Sequence, residues 1–358
     1  MMGSTFGRFL TITTFGESHG PAVGVIVDGV PPGIPVDPAM IQKDLDRRKP
    51  GQSAVTTQRK EPDQVEILSG VFEGVTTGAT IALVVRSVDA RSQDYSELRD
   101  LYRPGHADFT YWEKYGVRDY RGSGRSSGRE TVGRVAAGAV ARRLLEGEGV
   151  RVQAYTVQVG DLVARERDLD FVEQNPVRCP DRAMAPEMER AILAAREAGD
   201  SLGGVVETLA AGVPVGLGDP VIDKLHARLA FGLMSIPAIK GFEIGDGFAA
   251  ARLRGSENND RMTPKGFATN HAGGVLGGIS TGQPIVTRIA VKPPSSIALP
   301  QKTVDRHGQE RDFAIHGRHD PCLCPRVVPV AEAMTCLVLA DALLAQRAIE
   351  GWRPKGRE

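Results

Sequence analysis

The 358-residue sequence sets 44 Lys+Arg against 44 Asp+Glu and is 41% hydrophobic and 25% charged, the make-up of a soluble globular chain. With no net charge there is no global field to draw nucleic acid, and no apolar run approaches the ~20 residues of a membrane span. Four cysteines in a chain this long do not form a disulfide scaffold, so a cytoplasmic, enzyme-like protein is expected.

Residues 8–14 read as a strand with Leu10 and Ile12 on one face. The strand runs into Phe15-Gly-Glu-Ser-His-Gly-Pro21, a glycine-bracketed turn that displays Glu17, Ser18 and His19 where catalytic side chains are often carried. Residues 22–28 then return as the second strand of a hairpin. Asp37 followed by Pro38 predicts a helix start, an N-cap acceptor before a proline whose missing N–H costs nothing there. That helix carries Met40, Ile41 and Leu45 and stops before Pro50-Gly51. Its basic end, Arg47-Arg48-Lys49, is explained equally by the helix dipole or by a ligand.

Strands are expected at 65–68 and 80–86. Tyr102-Arg-Pro-Gly-His-Ala-Asp108 reads as a second exposed turn presenting Arg103 and His106. Next comes Gly122 to Thr131, Gly-Ser-Gly-Arg-Ser-Ser-Gly-Arg-Glu-Thr, which feeds a helix over 129–146. Serine hydroxyls, arginine donors and the free N–H groups of a helix start together suit an anion, and a flexible loop capping an ordinary helix accounts for them as well. No Gly-Lys-Ser/Thr follows, so the loop is not a nucleoside-triphosphate loop.

A short helix at 187–198 and a strand at 204–211 follow. A second Asp-Pro, Asp219-Pro220, predicts another helix with Val221, Leu225, Leu229 and Leu233 inward. Strand, Gly/Pro turn, Asp-Pro and helix thus occur twice, which hints at two related halves, about 1–150 and 151–340. Residues 255–266 and 300–312 are polar and expected to be mobile. A strand at 285–291 precedes Lys292-Pro-Pro-Ser-Ser296, a cation with hydroxyls, and a long apolar helix covers about 330–349.

Three loops therefore present histidine beside an acid or hydroxyl: Ser18/His19, His106/Asp108 and His319/Asp320. A histidine can deliver a proton near neutral pH, and Arg48, Arg103, Arg125, Arg129 and Arg318 around it would suit an anionic substrate that loses or transfers phosphate. A metal reading of His316, His319, Cys322 and Cys324 is weak, since no second well-separated ligand pair exists. A serine hydrolase is weak too, lacking a Gly-x-Ser-x-Gly elbow.

In order along the chain, Thr14-Phe-Gly-Glu-Ser-His-Gly20, Asp46-Arg-Arg-Lys-Pro-Gly51, Arg103-Pro-Gly-His-Ala-Asp108, Gly124-Arg-Ser-Ser-Gly-Arg-Glu-Thr131 and Gly317-Arg-His-Asp-Pro-Cys322 are similar to the motifs of the chorismate synthase family. Asn270-His-Ala-Gly-Gly and Pro329-Val-Ala-Glu-Ala-Met334 agree, so the resemblance spans nearly the whole sequence. It implies an α/β fold of the α+β type, a β-α-β sandwich in one large domain over residues 1–358, assembled as a homotetramer.

It also implies a carbon–oxygen lyase of the shikimate pathway. The reaction is 1,4-elimination of phosphate from 5-enolpyruvylshikimate 3-phosphate to give chorismate, dependent on reduced FMN without net redox change. NADPH would enter only as a flavin reductant, and an external flavin reductase is the expected partner. By the same resemblance His19 is the acid that protonates departing phosphate, and His106 lies beside the flavin's pyrimidine end and favours its anionic form. Asp320 is the base, acting through flavin N5 on the substrate C6 hydrogen. Arg125, Ser126, Ser127, Gly278, Lys292, Pro293, Pro294, Ser295, Ser296 and Arg318 match flavin positions, and Ser18, Arg48, Arg103 and Arg129 match substrate positions. Ala54, Gly128, Pro237 and Pro294 depart from the family pattern, which keeps a non-catalytic flavin- or anion-binding paralogue as the alternative.

Overall fold

The computed structural model describes residues 3–57, 61–88, 98–314 and 319–350. Two five-stranded antiparallel sheets form its outer layers. The first has the strand order 5–6, 11–16, 22–28, 81–86 and 65–69; the second has 239–244, 285–291, 204–211, 151–159 and 162–163. Alternation sets their inner faces: in the strand Thr11–Gly16, Ile12 and Thr14 are buried while Thr13 and Phe15 face out.

Helices α1 (Pro38–Arg48), α2 (Asp108–Tyr115), α3 (Thr131–Glu146), α4 (Met184–Glu197), α5 (Leu225–Met234), α6 (Gly255–Asn258) and α7 (Cys324–Glu350) complete the regular elements discussed below. Helix α3 packs on the first sheet and α7 on the second, and the two pack on each other, so the helices lie between the sheets. A Cβ on Gly138 of α3 would lie 2.3 Å from the Ala333 Cβ of α7, so glycine is what allows this approach. That packing buries residues all round α3 and the strongly apolar α7. Against the expectation that no apolar run approaches a membrane span, helix α7 is by length and composition long and apolar enough to cross one, but 94% of its most apolar window is buried inside the fold.

The helix capped by Asp37 and the strands at 22–28, 204–211 and 285–291 lie where the sequence puts them, while the first hairpin strand runs over 11–16 rather than 8–14. Three expectations change. The second Asp-Pro does not start a helix: α5 begins at Leu225, and Val221 stands in a turn with φ +69°. The polar stretches expected to be mobile form hairpins, 262–263 with 266–267 and 301–304 with 310–313, the first preceded by α6. The last helix starts at Cys324 and runs through Pro329. Proline lacks the N–H that would bond the carbonyl four residues back, and here the Arg178 guanidinium donates to that Pro325 carbonyl instead.

Candidate active site

The Ser18/His19, His106, 123–129 and Asp320 segments all converge on one cavity of about 440 Å³. Turn 17–20 meets the 122–124 loop directly. Ser18 N–H donates to the Gly124 carbonyl at 3.3 Å, and a Cβ on Gly122 would sit 1.9 Å from His19 Nδ1. Gly122 also has φ +60°, so both space and backbone conformation favour glycine there.

The 102–108 turn is not the exposed display its sequence suggests. Arg103 and Asp108 are buried, 6% and 2% exposed, because they pair with each other. Asp108 opens α2 and accepts from Arg103 N, Nε and Nη2 at 3.0, 2.7 and 2.7 Å, and it lies 2.9 Å from Arg118. Burial alone would raise its carboxyl, but the Arg103 bonds and the nearby His106 outweigh that and hold it far below the usual range. Arg103 Nη2 also reaches Ser123 Oγ at 2.6 Å and His106 Nδ1 at 3.1 Å. Arg103 is thus bound up in orienting the wall of the cavity as well as lining it. Burial, ahead of the opposing Asp108 bond, lowers the His106 pKa below its ordinary value, and Arg103 and Lys292 act in the same direction. The Lys292 ammonium donates to the Gly105 carbonyl at 2.8 Å and locks this turn to the 292–296 segment.

Opposite stands a cationic wall. Arg48, 2% exposed, ends α1, while Arg129 lies in the short turn before α3; both donate to the buried Asp63 carboxylate. Arg326 in the first turn of α7 donates to Asp320 and, through Nε, to the Arg48 carbonyl at 3.2 Å. Thr57 N–H donates to the other Asp320 oxygen at 2.9 Å. Lining the cavity among the described residues are five basic side chains, Arg48, Arg103, Arg129, Arg326 and Lys292, against the carboxylates Glu61 and Asp320. Arg48 Nε and Arg129 Nε and Nη2 are buried without a hydrogen bond among the described residues, although Nη2 keeps an ion pair with the Glu61 carboxylate at 3.6 Å. A buried donor left unmet costs about 1–3 kcal/mol, so the wall is suited to an anion that accepts from it.

Of the residues singled out from sequence, Ser18, His19, Arg48, Arg103, His106, Ser126, Ser127, Arg129, Lys292, Pro294, Ser295, Ser296 and Asp320 line this cavity. Arg125 does not: it lines an adjoining, larger cavity of about 1170 Å³, donating to Gly16 O, Thr14 O, Thr14 Oγ1 and Ser4 Oγ. Gly278 lies at the start of α5, where its carbonyl accepts from Leu225 N–H, and Pro293 packs against Gly203; neither lines the cavity. Arg318 and His316 lie outside the described residues. Cys322 and Cys324 are fully buried in the core. Among the departures from the family pattern, Pro237 and Gly128 line the cavity, and a Cβ on Gly128 would meet nothing within 4 Å. Ala54 offers only its carbonyl, to Arg196.

Sequence reasoning passed over Arg326, Asp63 and Thr57. A cation six residues after Asp320, at a helix start where the dipole disfavours it, was the one available signal.

A model of the chorismate synthase family matches residues 10–344. A solved structure titled "Crystal Structure of Chorismate Synthase" superposes with a TM-score of 0.76 at 33% identity, covering 95% of this chain and 93% of that one. With a family match over residues 10–344 and the same fold, this chain belongs to the chorismate synthase family.

Proposed function

We propose that this chain converts 5-enolpyruvylshikimate 3-phosphate to chorismate and phosphate with reduced FMN as its cofactor. The observation that carries the reading is the convergence of His19, His106 and Asp320 on one cavity walled by Arg48, Arg129 and Arg326. A substrate with a phosphate and two carboxylates needs fixed cations, and arginine provides them without losing its charge. In the elimination the C3–O bond to phosphate and the C6–H bond break, and a conjugated diene forms with no change in net oxidation state.

The residues present fit a flavin. The cavity falls within the ~300–1,000 Å³ of small-molecule sites, its lining offers the hydroxyls of Ser126, Ser127, Ser295 and Ser296 beside the Lys292 ammonium, and glycine lets the backbone come close at Gly105 and Gly122. When bound, reduced FMN supplies electron density as phosphate leaves and takes it back. The arginine wall holds the anionic groups, and His19 gives a proton to the departing phosphate. Asp320, oriented by Thr57 N–H and Arg326, takes up the proton lost from C6. Arg125, Gly278 and Pro293 stand off the cavity in this single chain, so the flavin assignment rests on the lining residues.

We assign flavin reduction to an external reductase, with NADPH entering only as its reductant. On the family resemblance we assign assembly as a homotetramer and a place in the cytoplasm. Purified protein, dithionite-reduced FMN and substrate under anaerobic conditions should release phosphate and form chorismate. NADPH with oxidised FMN should not support turnover. A well-folded protein that binds flavin and substrate without turning over would overturn the catalytic reading in favour of a binding paralogue.

A further inference from the structure

Asp63 has no solvent exposure, does not line the cavity, and belongs to none of the motifs that carry the family resemblance. Its backbone is in the left-handed region at φ +46°, a conformation in which Asp and Asn are the side chains most often tolerated. Gln42 of α1 brackets this turn, donating to the Pro62 and Asp63 carbonyls at 3.3 and 3.2 Å and accepting from Val65 N–H at 3.1 Å. The turn aims one carboxylate at two elements. Oδ2 takes Arg48 Nη2 at the end of α1, and Oδ1 takes Arg129 Nη1 at 2.8 Å, just before α3.

Physics requires such a group here. Arg48, Arg129 and Arg326 line one wall, and burial first, then Arg326 and Arg129, lower the Arg48 pKa below its ordinary value against the opposing pull of Asp63. Burial would raise the Asp63 carboxyl, but Arg48 and Arg129 outweigh it and hold it below its ordinary value, so it serves as their counter-ion. Each arginine gives Asp63 one N–H group. What remain without a hydrogen bond are the buried donors Arg48 Nε and Arg129 Nε and Nη2 on side chains that line the cavity, Nη2 lying 3.6 Å from the Glu61 carboxylate.

We propose that Asp63 is a positioning residue, an internal counter-ion that does not touch the substrate but fixes Arg48 and Arg129 so that their remaining donors are set for a rigid polyanion. The proposal rests on the substrate assignment above. Asp63→Asn tests it, because asparagine also tolerates the left-handed backbone while it removes the charge and one of the two acceptor oxygens. The dissociation constant and KM for 5-enolpyruvylshikimate 3-phosphate should rise at least about tenfold, with kcat within about threefold of wild type. Inorganic phosphate adapts to displaced donors and meets one more net positive charge, so its affinity should not fall.

Equal loss of substrate and phosphate affinity would mark a merely structural residue and overturn the proposal, as would unchanged substrate affinity. Calorimetric binding separates the two readings. Wild type that binds substrate but forms no chorismate sinks the elimination and leaves Asp63 still to be read from binding. Wild type that binds no substrate sinks both. Should Asp63→Asn fail to fold, Gln42→Ala loosens the same turn without touching the charge. It should weaken substrate about threefold and leave phosphate binding unchanged; unchanged substrate affinity there overturns the proposal.

Discussion

Gly122→Ala gives the sharpest test of the proposed role of His19. The new Cβ would lie 1.9 Å from His19 Nδ1 and 2.0 Å from Cε1, whereas ordinary contact begins near 3.4 Å. The imidazole therefore has to retreat by roughly 1.5 Å, and a shift of about 1 Å in a catalytic group can cost about 10²-fold in rate. Alanine at φ +60° adds roughly 1–2 kcal/mol of backbone strain. We expect kcat/KM to fall about 10²-fold in the anaerobic reduced-FMN assay, with a melting temperature lower by roughly 1–3 °C. The loss should not exceed that of His19→Ala, since displacing a group costs no more than deleting it. A variant that keeps more than half its activity would refute the reasoning, because His19 would then not need the place the glycine gives it.

Glu332 on α7 is fully buried and accepts from Arg47 at 2.5 and 3.0 Å, Arg142 at 2.9 Å and Ala154 N–H at 2.9 Å. Burial raises its carboxyl, but Arg47 and Arg142 prevail and bring it down to about 2 from 4.5. A depressed acid stabilises the fold above its unfolded value and loses that contribution as pH falls through the folded one. Glu332→Gln should thus cost roughly 3 kcal/mol near pH 7, read by urea unfolding, and the gap to wild type should close between about pH 4.5 and 2; a gap independent of pH would refute the pairing. His106 is depressed by burial in the free protein, so its ring signal by NMR should titrate below the ordinary histidine value and move upward when anionic ligand fills the cavity. A free-protein titration at or above that value would contradict the geometry of the Arg103–Asp108–His106 cluster.

Local sequence carried the hairpin 11–28, the Asp37-capped helix and the strands 204–211 and 285–291, because each is set by alternation or by a cap within a few residues. It failed where long-range partners decide. Nothing near Pro329 says that Arg178, from a distant turn, will occupy the Pro325 carbonyl and let the helix continue. Nothing near Asp219-Pro220 says that the chain stays in a turn until Leu225. In the site, the arginines and histidines stood out as motifs, but their counter-ions did not. Asp63 meets Arg48 15 positions away and Arg129 66 positions away, and no periodicity marks either pairing. The buried 102–108 turn was misread for the same reason: a run of Arg, His and Asp looks solvent-exposed until its members are seen to satisfy one another.

The basic end of α1 shows how helix geometry resolves a question composition leaves open. Successive residues on a helix point about 100° apart, so three neighbouring cations cannot share one task. Arg47 turns inward to Glu332, and also reaches Glu173, binding α1 to α7. Arg48 turns to Asp63 and the cavity, while Lys49 turns out and pairs with Asp46. The dipole favours positive charge at all three positions, so it explains why the run is basic without explaining any side chain's direction. Direction comes from the buried carboxylates. Because Arg47 is anchored in the core one residue before Arg48, the cation in the cavity wall is carried by a helix end that cannot rotate without breaking the Glu332 pair. Rigidity at the anionic wall is therefore inherited from a charge pair on the adjoining helix face.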